Sequence, residues 1–202
     1  MLITRYAKIV MALSLAAFCL LVAFDSITDY GTNFLAVQHV MSMDSTFAGN
    51  ALMYRAVTNP TLWQVCYWLI IAAEAATGIL FLAAAIRLFQ VRDAPGAVFN
   101  QAKALFVAAS LLAFLLWFFG FMVIAGEWFA MWQSATWNFQ EAAFRFYVTV
   151  LAVLIFVTQP DGDPAALKQA QDSKKPVPAK KPAVRRTAKR RRTDGNRRRT
   201  DS

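Results

Sequence analysis

The chain has 202 residues, of which 58% are hydrophobic and 16% are charged, and its formal net charge is +9. This balance is too apolar for an ordinary soluble domain and indicates a membrane protein. The charge is unevenly divided: residues 1–158 carry 7 basic and 7 acidic side chains, whereas residues 159–202 carry 14 basic and 5 acidic ones. We therefore predict a transmembrane domain over residues 1–158 and a basic tail over residues 159–202.

Four apolar stretches predict four transmembrane helices in a bundle, which makes the expected fold class an all-α membrane protein. A helix needs ~20 residues to cross a bilayer. We place the helices at about residues 6–24, 62–86, 104–125 and 138–158. The first stretch has no small-x-small cleavage site before Asp25, so we expect an uncleaved helix rather than a signal peptide.

Basic residues in the connections indicate the orientation. They cluster before the first helix and between the second and third, at Arg5, Lys8, Arg87, Arg92 and Lys103. The other two connections hold Asp25, Asp29, Asp44 and Glu127 against Arg55 alone. The positive-inside rule then places both termini in the cytoplasm.

Aromatic residues gather near the predicted outer ends of the helices. Amphipathic rings favour this depth, so we expect an interfacial belt rather than a stacking site for a ligand. The belt residues are Trp63, Tyr67, Trp68, Trp128, Trp132 and Trp137.

The outer connection between the first two helices contains the polar stretch "DSITDYGTNFLAVQHVMSMDSTF" over residues 25–47. At ~37 residues it is too long for a simple connector, and we expect a structured loop that folds as a lid over the outer end of the bundle. Its polar residues would pair among themselves or with the connection between helices three and four. The predicted outer polar cap comprises Asp29, Asn33, His39, Asp44, Arg55, Glu127, Gln133, Asn138, Glu141 and Arg145.

His39 is the only histidine of the chain. One histidine cannot supply the paired axial ligands of a membrane haem, and no Cys/His cluster has zinc spacing. The favoured interpretation is a histidine hydrogen-bonded to a nearby aspartate that fixes the loop. A pH-sensitive contact is the alternative.

Glu74 is a carboxylic acid within the second predicted helix. It lies 12 residues from both Leu62 and Ile86, or ~18 Å from either end, which predicts a position at the membrane midplane. It could be a proton-coupled or polar-ligand site, or a protonated acid that joins helices through a hydrogen bond. Candidate partners at nearby depths are Ser14, Thr77 and Thr149.

The chain lacks recognisable catalytic motifs such as GxSxG, a P-loop or HExxH. We therefore expect no enzymatic activity, no cofactor and no metal. Cys19 and Cys66 could meet by depth, but ordinary packing cysteines are the favoured interpretation.

The tail has spaced prolines, no apolar periodicity and blocks of like charge, which predicts disorder. Lys and Arg clusters beside the inner leaflet attract anionic lipids at ~1 kcal/mol per charge. Nucleic acid would bind through the same charges, but no interleaved aromatic residues specify it. The residues expected to bind an anionic surface are Lys174, Lys175, Lys180, Lys181, Arg185, Arg186, Lys189, Arg190, Arg191, Arg192, Arg197, Arg198 and Arg199.

Three segments, "YGTNFLAVQHVMSMDSTF", "YRAVTNPTLWQVCYWLIIAAEA" and "GEWFAMWQSATWNFQEAAFRF", resemble the bacterial predicted small integral membrane proteins, a four-helix family grouped as a domain of unknown function. The resemblance covers about residues 5–158. It implies a multi-pass protein of the bacterial cytoplasmic (inner) membrane, and it brings no catalytic residues. It suggests as signature positions Asn33, His39, Asp44, Arg55, Glu74, Glu127, Trp132, Gln133, Trp137, Asn138 and Arg145.

These observations leave three functional hypotheses. The first is a non-catalytic membrane subunit or scaffold whose cap docks another membrane protein and whose tail holds the inner leaflet. The second is a small proton-coupled transporter or channel that uses Glu74. The third is a membrane tether for nucleic acid through the basic tail.

Overall fold

The structure is a computed structural model that describes residues 2–163 and residue 166, and these residues contain helices and turns but no strand. The predicted all-α fold with long apolar helices is confirmed. In chain order the helices are α1 (Leu2–Thr28), α2 (Tyr30–Ser42), α3 (Pro60–Gln90), α4 (Gly96–Ala102), α5 (Ala104–Phe114), a π-helix (Leu115–Trp128) and α6 (Gln140–Thr158). Two 3₁₀ turns, Met53–Arg55 and Met131–Gln133, lie in the longer connections.

The helix ends follow local sequence signals. The Asn59 side chain accepts a 2.9 Å hydrogen bond from the Thr61 amide, and Pro60 occupies the first turn, as N-terminal capping favours. α3 ends at Gln90, before the "RDAPG" segment that separates it from α4. Both α1 and α3 extend beyond their predicted bounds.

Four stretches of the described chain are long and apolar enough to cross a membrane: Leu2–Thr28, Pro60–Gln90, Gly96–Trp128 and Gln140–Thr158. Residues 2 and 163 both lie at one end of the bundle, which we call the termini end. We call the opposite end, where residues 43–59 and 129–139 connect the helices, the cap end.

The bundle core rests on close packing of α1 against α3. Small residues such as Ala12, Ala16 and Ala84 are completely or almost completely buried there, and small side chains let membrane helices approach closely. Gly78 marks a close approach of the two helices, because a Cβ atom there would lie 2.7 Å from Cγ of Leu20. α5 then packs on α3 and α6, so that Phe106 meets Phe81 with ring centroids 5.2 Å apart.

The third span changes helical type in mid-course. From Leu115 to Trp128 it is a π-helix, and the Phe129 amide still donates to the Ile124 carbonyl five residues back, at 3.0 Å. Such helices are rare and are frequently found at functional sites. This segment faces the cap end, where the polar residues singled out in the sequence gather.

Candidate functional site

The cap, defined as residues 43–59 and 129–139, is one packed unit. Met43, Phe129 and Ala130 share a small apolar cluster and are nearly inaccessible to solvent. The Val57 amide donates a 2.8 Å hydrogen bond to the Met41 carbonyl, which turns the loop back onto α2. The two connections are therefore held together by an apolar centre.

His39, on α2 beside the cap, contacts both of its connections. Its Nδ1 lies 2.9 Å from both carboxylate oxygens of Asp44, and its ring stacks on Trp137 with centroids 4.7 Å apart. The histidine therefore links α2 both to the following loop and to the connection before α6. The role of His39 in fixing the loop stays a prediction.

The side chain of Arg55 contacts backbone carbonyls at the end of the π-helix. Its guanidinium donates to the carbonyls of Glu127 and Trp128 at 3.5 and 3.4 Å, and it lies 4.8 Å from the Trp128 ring centroid. A cation is stabilising at a helix C-terminus, where carbonyl groups lack partners. Arg55 thus pairs with carbonyls and a ring, and not with the Glu127 carboxylate.

Gln133 is the third link across the cap. Its Oε1 accepts a 3.1 Å hydrogen bond from the Phe47 amide. The Phe47 ring meets Trp132 edge-on, with centroids 5.8 Å apart. Phe47, Tyr54, Trp128 and Trp132 remain exposed on the outside of the cap, Tyr54 most of all at 76%.

The remaining predicted cap residues bond locally. Asn33 donates to the Asp29 carbonyl one turn earlier, and the Asn138 side chain accepts from the Gln140 amide, each at 3.1 Å. Glu141 and Arg145 form an exposed ion pair along α6. The side chains of Asn33, Asn138, Glu141 and Arg145 do not bridge the two connections, because each has a partner within its own turn of backbone. Asp29 takes part only through its backbone carbonyl.

The predicted aromatic belt divides into two groups. Trp68, Trp128 and Trp132 are about half exposed, as interfacial rings would be. Tyr67, however, is buried and donates a 2.6 Å hydrogen bond to the Ser26 carbonyl, so it belongs to the α1–α3 interface. Trp63 donates to the Val57 carbonyl at 2.6 Å.

Glu74 is 4% exposed, and its Oε2 accepts a 2.9 Å hydrogen bond from the Ser26 hydroxyl. The partners expected from the sequence do not reach it. The hydroxyls of Ser14, Thr77 and Thr149 each donate instead to the carbonyl four residues back in their own helix. This local bond is an ordinary alternative for Ser and Thr inside helices, which explains the wrong assignment.

Glu74 lies near the middle of α3. At 1.5 Å per residue it is ~21 Å along the helix from Pro60 and ~24 Å from Gln90. α1 runs antiparallel to α3, with Ile9 beside Leu88 at the termini end and the Ser26 carbonyl bonded to Tyr67 toward the cap end. The position of Glu74 at the membrane midplane stays a prediction.

An apolar cavity of about 440 Å³ opens beside Glu74. Its walls come from the end of α1, α2, α3 and the π-helix, and Phe129 and Met131 of the cap also line it. Ser26, Asn33 and Glu74 are its chief polar side chains. The arrangement combines an apolar volume with a few hydrogen-bonding groups, the usual composition of a ligand site.

A second polar cluster lies at the termini end. Asp161 Oδ2 accepts hydrogen bonds from Lys8 Nζ at 2.6 Å and from Lys103 Nζ at 2.5 Å. Both ammonium groups also donate to the Gln159 carbonyl, at 2.7 and 2.6 Å. The two lysines and the aspartate are buried, and they fasten the segment after α6 to α1 and α5.

Arg5 extends this cluster to the α3–α4 connection. Its guanidinium donates to the carbonyls of Arg92 and Ala94 at 2.7 Å each and to that of Gly162 at 2.9 Å. The Arg5 side chain is fully buried and lies 4.4 Å from the Phe99 ring centroid. The α3–α4 region and the segment after α6 therefore converge on one cation.

Sequence reasoning missed this cluster. It treated Arg5, Lys8 and Lys103 as loop charges and assigned Asp161 to the basic tail. Burial favours the neutral acid, but the hydrogen bonds and charges of Lys103 and Lys8 outweigh it, so the pKa of Asp161 lies below its ordinary value. The available signal was an acid directly after the last helix, at the end where the basic residues collect.

Within residues 2–163 and 166, no three His, Cys, Asp or Glu side chains gather in a way that could hold a metal ion. Cys19 and Cys66 are both free, and Cys66 lines the apolar cavity. The basic tail residues that were expected to bind an anionic surface lie outside the described residues.

Comparison with known families gives one result. A family model described as "Predicted small integral membrane protein (DUF2165)" matches residues 4–160. No curated protein and no solved structure matches the chain.

Proposed function

The chain belongs to the family of predicted small integral membrane proteins, and from this premise we propose that it is a non-catalytic membrane subunit or scaffold. In this proposal its cap docks another membrane protein, and its tail binds the anionic cytoplasmic leaflet. The observation that carries the proposal is the set of exposed aromatic side chains on a braced cap.

The exposed residues have the composition of protein-binding surfaces. Phe47, Tyr54 and Trp132 project from the cap, and the Arg55 guanidinium lies 5.4 Å from the Tyr54 ring centroid. Aromatic and arginine side chains supply most of the binding energy in protein interfaces. Their backbone is already fixed by the contacts of His39 and Gln133, so docking would cost little conformational entropy.

The proposed orientation of the protein in the membrane follows from the positions of its basic residues. Arg5, Lys8, Arg87, Arg92 and Lys103 lie toward the termini end, which supports a cytoplasmic location for that end by the positive-inside rule. The residues after 163 include 14 basic and 3 acidic side chains. A segment of this charge beside the cytoplasmic leaflet would bind anionic lipid.

The test is purification from native membranes in mild detergent, followed by quantitative mass spectrometry. Full-length protein is compared with a chain ending at residue 166, so that the bonds of Asp161 stay intact. We expect one membrane protein to co-purify stoichiometrically with both forms. Tyr54→Ala combined with Trp132→Ala should remove it, whereas Trp68→Ala, an exposed Trp on α3, should not. Co-purification of a partner that the cap substitutions leave unchanged would contradict the proposal, and so would the absence of any partner.

The tail is tested separately with the protein reconstituted into phosphatidylcholine vesicles. Full-length protein should capture fluorescent phosphatidylserine vesicles, and about 0.5 M salt should release them because the charges are then screened. The chain ending at residue 166 should capture none. Preferential capture of single-stranded RNA over these vesicles would instead favour the nucleic-acid tether.

A further inference from the structure

Glu74 gives the cavity a carboxylate oxygen that has no partner among the described residues. The carboxylate Oε2 is occupied by the Ser26 hydroxyl, whereas Oε1 receives no hydrogen bond from the described residues. The Tyr67 hydroxyl donates to the Ser26 carbonyl at 2.6 Å, which fixes the last turn of α1 against α3. A nearly buried carboxyl group is thus held in place with one oxygen available, and Glu74 lines the cavity.

The rest of the cavity is apolar. Leu69, Ile70, Leu112 and Phe119 contribute to its walls. A volume of about 440 Å³ falls at the lower end of the range of small-molecule sites, ~300–1,000 Å³. It therefore suits one hydrocarbon chain better than a whole two-chain phospholipid.

The position of the cavity indicates where a ligand would come from. On the cap side it is covered by Phe129 and Met131, both of which are buried. On its flank, Leu69 of α3 and Leu115 and Phe119 of the π-helix are exposed on the surface of the bundle. The cavity is therefore closed on its cap side and bordered by lipid-facing residues on its flank. This arrangement favours entry of a ligand from the bilayer.

From these features we propose that the cavity binds a single-chain membrane amphiphile with a hydroxyl head group. The chain would lie between α3 and the π-helix, and the hydroxyl would bond to Oε1 of Glu74. A hydroxyl both donates and accepts, so it can pair with the carboxyl group in either protonation state. A ligand without a polar head would leave Oε1 unpaired in an apolar site, which is costly.

The experiment uses the full chain in mild detergent with a dodecanol that carries a photoreactive diazirine in its chain. We expect cross-links to concentrate on the cavity walls, within residues 66–74 and 112–125. Unlabelled dodecanol should compete better than dodecane, because only the alcohol bonds to Glu74. In Glu74→Ala the two competitors should become equivalent.

Gly120 offers a way to close the site. It lines the cavity, and a Cβ atom there meets only the Leu115 carbonyl oxygen at 3.8 Å, so Gly120→Leu should fill the space without a backbone clash. Gly31→Leu is the matched control, because a Cβ atom at Gly31 has nothing within 4 Å and Gly31 is not a cavity residue. We expect about tenfold less cross-linking for Gly120→Leu and no change for Gly31→Leu.

Ala36→Leu, which enters the cavity from α2, provides a second filling variant if Gly120→Leu melts early. Cross-links spread evenly over the lipid-facing surface, and unaffected by either filling variant, would overturn the proposal. Cavity cross-links for which dodecane competes as well as dodecanol would overturn the role of the hydroxyl group. Neither outcome depends on whether a partner protein binds the cap.

Discussion

The ammonium group of Lys8 lies 2.6 Å from a carboxylate oxygen of Asp161, although 153 residues separate the two along the chain. Lys103 donates to the same oxygen at 2.5 Å. The three side chains are buried together, so each depends on the others to compensate its lost hydration. The first helix, the third span and the segment after the last helix are therefore joined by one carboxylate.

Asp161→Ala should destabilise the protein strongly, because two buried lysines would lose their only described carboxylate partner. Removing one member of a buried ion pair costs ~3–5 kcal/mol. Urea unfolding in mixed micelles, followed by tryptophan fluorescence, measures the change. Asp93→Ala is the control, since Asp93 is exposed and pairs with Arg92 at 3.4 Å; it should change stability by ~0.5 kcal/mol or less. Equal effects of the two variants would refute this role of Asp161.

The same cluster predicts a dependence on pH. The pKa of Asp161 in the folded protein is lowered, whereas the unfolded value is ~3.9. Its contribution to the free energy of unfolding is therefore complete above the unfolded pKa and is lost as the pH falls through the lowered folded pKa. Unfolding measured from pH 7 downward should show a steeper acid loss in the wild type than in Asp161→Asn. Parallel curves would show that Asp161 is not the group responsible.

Gly78 should tolerate no side chain. A Cβ atom there would lie 2.7 Å from Leu20 Cγ and 3.0 Å from the Leu20 backbone nitrogen, so α1 and α3 would have to separate. Overpacking of this kind costs ~1–3 kcal/mol. Thermal unfolding of Gly78→Ala is compared with Gly31→Ala, where a Cβ atom has open space. If both variants melted like the wild type, the α1–α3 contact would be looser than the structure indicates.

Much of the fold followed from the sequence, because apolar length and helix capping are local properties. The four spans and membership of the membrane-protein family are confirmed. The contacts between distant residues did not follow. Neither the bond between Glu74 and Ser26 nor the burial of Lys8 can be read from composition, since both depend on the register of α1 against its neighbours.

In the cap, too, local contacts could be predicted from the sequence and contacts between distant residues could not. The sequence indicated that His39 could bond to a nearby aspartate, but it did not identify Asp44 as the partner. It did not indicate the stacking of His39 on Trp137, which depends on how two connections meet in space. The apolar pattern predicted a helix over residues 104–125 but did not distinguish the π-helix from Leu115 to Trp128 from an α-helix.

Glu74→Gln distinguishes a scaffold from a proton-coupled transporter. The amide can still accept a hydrogen bond from Ser26, so we expect unfolding stability to change by ~1 kcal/mol or less. In proteoliposomes with an enclosed pH dye, the scaffold hypothesis predicts identical proton flux for wild type and variant. Flux that the wild type supports and Glu74→Gln abolishes would contradict the scaffold and favour the transporter. Ser26→Ala serves as the control for loss of the hydrogen bond alone.

His39→Ala should loosen the cap without unfolding the bundle. The substitution removes the contact with Asp44 and the stacking on Trp137, which together link α2 to both connections. Because the core of α1 and α3 lies elsewhere, the opening should be local. Hydrogen exchange measured by mass spectrometry should accelerate several-fold over residues 43–57 and remain unchanged over residues 9–23.

Arg145→Ala is the matched control for the cap, since it removes an exposed ion pair with Glu141 that bridges no connection. We expect its exchange pattern to match the wild type. If His39→Ala also matched the wild type, the apolar cluster of Met43, Phe129 and Ala130 would be sufficient to hold the cap. His39 would then contact the cap without stabilising it, and the rigidity on which partner docking depends would have to come from that apolar cluster.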